Sequence, residues 1–180
     1  MHAPLTTATA LDELIAGVRD VVRRDLDAAT TGAAVADVLR EFISRADLLA
    51  PEQIAPDPSG YRQHILYVEP DGCFSIVALV WLPGQATQIH DHVSWCVVGV
   101  YRGQEQETTY ELRGAGRDPH LVVTGEHANP TGSIASLVPP GDVHRVCNAS
   151  DGVAVSLHIY GADISKLGNS IRRRYDHEVR

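Results

Sequence analysis

From Tyr61 to Tyr160 the chain breaks into eight short runs rich in β-branched and aromatic residues: HILYV, FSIVALVWL, SWCVVGVY, ETTYEL, HLVVTGE, SIASLV, HRVCN and VAVSLHIY. Turn formers separate them, in PDG, LPG, RGAG, NPTG, PPGD and ASDG. Strands this short, this numerous and this evenly punctuated cannot build a parallel sheet with helical crossovers. They predict an antiparallel sandwich or closed barrel, a mainly β fold. The first fifty residues have a different period. Leu11, Leu14, Ile15, Val18, Val21 and Val22 recur at spacings of three and four, as do Val35, Val38, Leu39, Phe42 and Ile43 beyond the Thr30-Thr31-Gly32 break. This predicts two amphipathic helices packed outside the β structure. After Tyr160 the segment ISKLGNSIRRRY is expected to turn helical again.

Charge and composition remove several function classes. A formal net charge of −8 offers no basic footprint for nucleic acid, and Arg172-Arg173-Arg174 is the one basic run. No segment is apolar enough to be expected to span a membrane. The first residues, MHAPLTTATALDELIAGVRDVV, lack the basic flank and continuous apolar stretch of a secretory signal. Three cysteines, Cys73, Cys96 and Cys147, without a CxxC pair fit reduced thiols and a cytoplasmic location.

Two sets of residues carry chemistry. His90 and His92 are two apart, so on a strand both imidazoles face one side and can reach one ion while Asp91 points away. Gly84 precedes His90 by five intervening residues; three residues follow His92 before Cys96, and six more before Gly103. Downstream, Pro139-Pro140-Gly141 is followed by two residues, His144, three residues and Asn148. The flanking spacings resemble those of the cupin superfamily, which implies that His144 joins the pair; three neutral imidazoles would then leave the full charge of a divalent ion for anionic ligands to neutralise, favouring a thiolate and reduced oxygen species. The same ligands would suit zinc hydrolysis. The second set is Ser156, His158 and Tyr160, at strict spacing two in VAVSLHIY. Facing into a barrel, they must hydrogen-bond one another or a ligand; the competing reading is an exposed polar strand face.

The spacings around His90, His92 and His144 resemble the two motifs of the cupin superfamily. Gly132 lies one residue further out than the second motif's leading glycine, and Cys96 stands where the first motif has Glu. The resemblance implies a double-stranded β-helix, a jelly-roll barrel over residues 60–160, with helices of residues 1–50 outside, a C-terminal tail of residues 161–180, and one domain in all. With the Ser-x-His-x-Tyr series, the chain resembles the thiol dioxygenases, including cysteine dioxygenase and 3-mercaptopropionate dioxygenase. That resemblance implies Fe(II) on His90, His92 and His144, with O2 and a small thiol as the partners. It also implies a sulfinate product and catalytic roles for Tyr160, His158 and Ser156. A Ser-His hydrolase leaves the tyrosine without a role and has no evident acidic orienter. A non-catalytic, metal-dependent ligand-binding cupin has no use for a relay beside its metal.

Substrate choice follows from two further positions. Gln63, in Tyr61-Arg62-Gln63-His64, stands where the cysteine-specific branch resembled here carries a carboxylate-binding Arg. The 3-mercaptopropionate branch has Gln there and an Arg near the C-terminus, for which Arg173 is the candidate and Arg172 its neighbour. Arg62 and Gln63 face opposite sides of a strand, so only one of them lines a site. Finally, if the strand runs straight from His90 through Ser94, Cys96 points inward with Tyr160. The resemblance then implies a possible Cys96–Tyr160 thioether, formed by oxidation at the iron.

Overall fold

The computed structural model describes residues 8–114, 116 and 118–180. The absence of signal character in residues 1–7, and the Ala115 position of the turn after ETTYEL, lie outside these.

Two helices come first, α1 (Ala10–Val22) and α2 (Ala28–Phe42). Thr9 opens α1 with a reciprocal cap: its hydroxyl accepts from the Asp12 amide at 3.2 Å, and the Asp12 carboxylate accepts from the Thr9 amide at 2.9 Å. Asp27 caps α2 by accepting from the amides of Ala29 and Thr30, each at 3.0 Å. Ten strands follow in two antiparallel sheets. They are β1 (Arg62–Val68), β2 (Ser75–Trp81), β3 (His90–His92), β4 (Cys96–Arg102), β5 (Gln104–Arg113), β6 (His120–Pro130), β7 (Ile134–Leu137), β8 (His144–Asn148), β9 (Ala154–Tyr160) and β10 (Ile171–Arg174). One sheet has the order β1-β2-β9-β4-β7, the other β10-β3-β8-β5-β6. From β2 to β5 and again from β6 to β10 chain neighbours therefore alternate between sheets, the connectivity of a double-stranded β-helix.

The central strands β2 and β9 of the first sheet are buried on both faces, and the sheet's side-chain alternation sorts two populations. Ile76, Ala78 and Val80 of β2, Val97 of β4, and Leu157 and Ile159 of β9 point outward and join Leu14, Val18, Val35 and Leu39 of the helices in the main apolar core. Each fully buried Leu or Ile there contributes about 1.5–3 kcal/mol. Val77, Leu79, Trp81, Cys96 and Tyr160 point into the barrel. Gly99 is what allows α2 to lie close on β4: a Cβ there would stand 2.8 Å from Leu39 Cδ2 and 2.9 Å from Ile43 Cδ1. The helices close one face of the sheet and leave the barrel interior to the functional side chains.

The C-terminal segment corrects the helical expectation. Only Ile164–Leu167 (α3) is helical, a single turn ended by Gly168 at φ +80°. Ile171–Arg174 is instead a strand paired with β3, with a bulge between Ile171 and Arg173. Asp91 holds it there: the Arg172 guanidinium and the Tyr175 hydroxyl, the latter at 2.9 Å, both donate to Asp91 Oδ2. That partner is 81 residues from Arg172 and 84 from Tyr175, so no local pattern announces the strand.

Candidate active site

His90 and His92 on β3 and His144 on β8 are neighbours in the second sheet, where His90 and His144 are directly paired. Their ring centroids form a triangle of 4.9, 4.7 and 5.0 Å. One ligand atom from each lies within 4.8 Å of the others, and all three residues are buried. The outer nitrogens show what the inner ones are free to do. His90 Nδ1 lies 2.9 Å from the Gln88 carbonyl, His92 Nδ1 2.8 Å from Asp142 Oδ2, and His144 Nδ1 2.6 Å from Glu107 Oε1. Each partner is an acceptor, so each Nδ1 carries the hydrogen and each Nε2 turns a lone pair to the common centre. Burial holds His90 neutral, lowering its pKa to about 3, and also lowers that of His92. The hydrogen bond from His144 holds Glu107 below the usual carboxylate range. Three nitrogen donors converge on one centre, and they fit a divalent transition metal.

Opposite this ring stands β9, all seven of whose residues are buried, so its polar series is no exposed strand face. Tyr160 Oη lies 3.0 Å from His158 Nδ1, and His158 Nε2 lies 2.9 Å from Ser156 Oγ. Burial keeps the imidazole neutral, lowering its pKa well below normal, and raises the Tyr160 phenol well above its ordinary value. The Tyr160 ring is 6.3 Å from that of His92, which sets the hydroxyl end of the series beside the metal ring. Cys96 is directly paired with Tyr160 across β4 and β9, fully buried, with burial raising its thiol pKa. The strand does not run straight from His90: β3 ends at His92 in one sheet and β4 begins at Cys96 in the other. The sulfur points inward through this corner rather than through a shared face.

The ring and the His158 and Tyr160 end of the series open into one cavity of about 410 Å³ including its mouth, lined also by Tyr61, Gln63 and Trp81 among others. Gln63 lines it while Arg62 is exposed on the other side of β1. Gln63 Nε2 donates to the Gly168 carbonyl at 3.1 Å. Neither Arg173 nor Arg174 lines it. Arg173 pairs with Asp91 across the strands and so shares its outward face; its guanidinium lies over the Tyr175 ring at 5.2 Å and 3.7 Å from Asp91. Arg172 is committed to Asp91. The bulge at Arg172 moves the alternation by one, so Arg174, paired with His90, is the member of the run on the inward register. Its charge acts on the Tyr61 phenol against the burial that raises that group's pKa.

Comparison with known proteins places this site in a family. The family model described as cysteine dioxygenase type I matches residues 1–176. The chain belongs to the cysteine dioxygenase type I family. A cysteine dioxygenase type 1 from Danio rerio is 31% identical over 94 residues, which are 51% of this chain and 47% of that protein. The chain thus matches about half the length of that curated relative. Among solved structures, a Cupin 2 conserved barrel domain protein from Salinispora arenicola is 20% identical. It covers 62% of this chain and 83% of its own, with a TM-score of 0.43. An uncharacterised protein with a double-stranded β-helix domain from Klebsiella pneumoniae is 18% identical, with coverages of 66% and 91% and a TM-score of 0.45.

For this family member, reading by motif missed the residues that support the ligands. Glu107 and Asp142 hold two of the three imidazoles. A period-two signal was available for one of them: in Gln104-Glu105-Gln106-Glu107 the two glutamates share a strand face, and Glu105 and Glu107 are buried while Gln106 is less so. Asp91, expected only to point away, is the anchor of β10.

Proposed function

We propose that this chain is a non-haem Fe(II) thiol dioxygenase that adds both atoms of O2 to the thiol of a small mercapto-carboxylic acid: RSH + O2 gives RSO2⁻ + H⁺. The observation that carries the reading is the cavity that the three-histidine ring shares with His158 and Tyr160 of the polar series. Iron, held by His90, His92 and His144, would supply the redox-active centre where thiol and oxygen meet. The chain's own groups do the rest. Three uncharged ligands leave an anionic thiol favoured over a neutral one. The Tyr160 hydroxyl, anchored on His158, holds a proton at the reacting end of the cavity. Trp81 and Leu79 close its apolar wall.

The favoured substrate is 3-mercaptopropionate, with L-cysteine next. Gln63, an amide, cannot make the charge-assisted bidentate pair that an Arg makes with a carboxylate. We assign the carboxylate contact to Arg174, in place of Arg173, because Arg174 is the one paired with His90 and its charge acts on Tyr61, which lines the cavity. Oxygen uptake by the iron-loaded protein with a panel of thiols, with detection of the sulfinate, tests the function. The expected result is a higher kcat/KM for 3-mercaptopropionate than for L-cysteine, with Gln63→Arg moving preference toward cysteine. No thiol-dependent uptake would overturn the dioxygenase reading, and a wild-type preference for cysteine would overturn the substrate assignment.

The pairing of Cys96 with Tyr160 also supports a thioether between them, formed with loss of two hydrogens to an oxidant such as O2. Peptide mapping after aerobic turnover is expected to show a linked pair lighter by two hydrogens. Recovery of only the separate, unmodified peptides would refute it.

A further inference from the structure

Inside the barrel there is a second cavity, about 380 Å³ in all, that shares only His144, Val146 and His158 with the substrate cavity. The strand orders explain why there are two. β1 and β10 form one edge of the two sheets, and β7 and β6 form the other. The substrate cavity lies toward the first pair, where Gln63 of β1 and Ile171 of β10 line it. The second lies toward the other pair, where Ile134, Ala135 and Leu137 of β7 line it together with Asn129 of β6. These four are half-buried, so this cavity reaches the surface between β6 and β7. A ligand imidazole, one member of the polar series and a valine therefore stand between two openings at opposite edges of the barrel.

The two openings differ in what they can pass. One wall of the second cavity is aliphatic, made by Val98 and Val100 of β4 with Ile134, Ala135 and Leu137 of β7. The facing wall carries Glu105 and Glu107 of β5. Glu107 accepts from His144 at 2.6 Å, and Glu105, 2% exposed, has an Oε1 without a partner among the described residues. No Lys or Arg among the described residues lines this cavity. A mercapto-carboxylate entering here would bring a second negative charge beside Glu107, out of water and with no cation to offset it. The sulfinate product meets the same barrier. The substrate cavity has no Asp or Glu among its described lining residues. O2 is uncharged and gives up no hydrogen bonds on leaving water, so the carboxylates do not repel it and the aliphatic wall favours it. A thiol acid bound at Gln63 also occupies the first opening, and a second substrate that must join it needs another way in.

We propose that the second cavity is the entrance for O2, separate from the mouth that the thiol uses. O2 enters between β6 and β7, collects against the aliphatic wall and passes Val146 to the reacting end of the site beside His144 and His158. The proposal rests on the thiol dioxygenase reading and adds a division of traffic to it: the acid enters at Gln63 and the gas at Ala135. Glu105 and Glu107 serve this division by closing the gas side to anions, so neither the thiol acid nor its sulfinate leaves through it. No bond is made or broken on the way.

Xenon, a neutral apolar atom, is the probe for the cavity. Crystals of the iron-loaded wild type under xenon pressure are expected to show xenon against Val98, Val100 and Ala135. Two variants then narrow the opening, Ala135→Phe and Ser133→Leu. Ala135 is half-buried on the edge strand β7 and Ser133 is half-buried just before that strand, so the added volume falls where the fold can yield. In each, kcat/KM for O2 is expected to fall about tenfold, the factor that about 1.4 kcal/mol of added barrier produces. Iron content and kcat/KM for the thiol at saturating O2 are expected to move far less. A wild type that takes up xenon only in the substrate cavity, or not at all, would overturn the proposal without needing any variant to fold. Unchanged kcat/KM for O2 in both variants would overturn it too, as would equal losses for O2 and for the thiol. All of these leave the dioxygenase reading intact. A wild type that consumes no oxygen with any thiol would instead sink that parent reading.

Discussion

His144→Ala is expected to yield a protein that purifies without iron and consumes no oxygen with any thiol. The three imidazoles are the only convergent ligand set found among the described residues, and each contributes one lone pair to a single point. Removing one of three protein ligands must cost more than removing an outer partner, for which losses of about 10–100-fold in metal affinity are typical. Asp142→Ala, which frees the His92 ring while leaving all three ligands in place, provides the graded comparison and is expected to show a loss in that smaller range. His144→Ala also leaves Glu107 buried without its hydrogen-bond partner, at a cost of about 1–3 kcal/mol. A thermal melt must therefore accompany metal analysis, so that lost iron is not mistaken for a lost fold. Iron content or turnover at the wild-type level in His144→Ala would overturn the assignment of the site.

Tyr160→Phe is expected to keep its iron and lose most of its turnover. The hydroxyl is not among the converging ligand atoms, yet it is the end of the buried series that faces the metal ring. Loss of a positioned proton donor or acceptor typically costs a factor of about 10²–10⁴ in rate. The substitution removes one oxygen from a fully buried position. Its structural consequence is a His158 Nδ1 left with only the Cys96 sulfur at 4.0 Å, a perturbation confined to the barrel interior. Metal analysis, oxygen uptake and sulfinate yield on the same preparation separate the outcomes. Unchanged uptake and sulfinate would show the tyrosine to be a packing residue only. The same variant cannot form a link to Cys96 through the phenol in the way proposed for the wild type, so peptide mapping of Tyr160→Phe is also the control for that experiment.

The parts of this site legible in the sequence are those that depend on local geometry. His90 and His92, and Ser156, His158 and Tyr160, are each two residues apart, and a strand puts such residues on one face whatever surrounds it. The antiparallel β architecture was legible for the same reason, since short runs and frequent turn formers leave few alternatives. The amphipathic period of residues 11–43 located the helices and the faces they bury. The arginine run shows where this reasoning stops. Its three members alternate faces, so deciding which one reaches the cavity requires the register to the residue. The bulge at Arg172, drawn out toward Asp91, changes that register from outside the run.

What the sequence by itself determined is therefore the class of fold, the three imidazoles and the polar series, because their chemistry and spacing are intrinsic to short segments. Tertiary structure alone decided which acids support them. Glu107 meets His144 because β5 pairs with β8, and Asp142 meets His92 across fifty residues of chain. The last helix became a strand for the same reason. Its own residues favour neither state strongly, and the hydrogen bonds and ion pairs that decide it belong to Asp91 on β3. Contacts between segments far apart in sequence carry no local signature, and in this protein they determine how the legible residues are oriented.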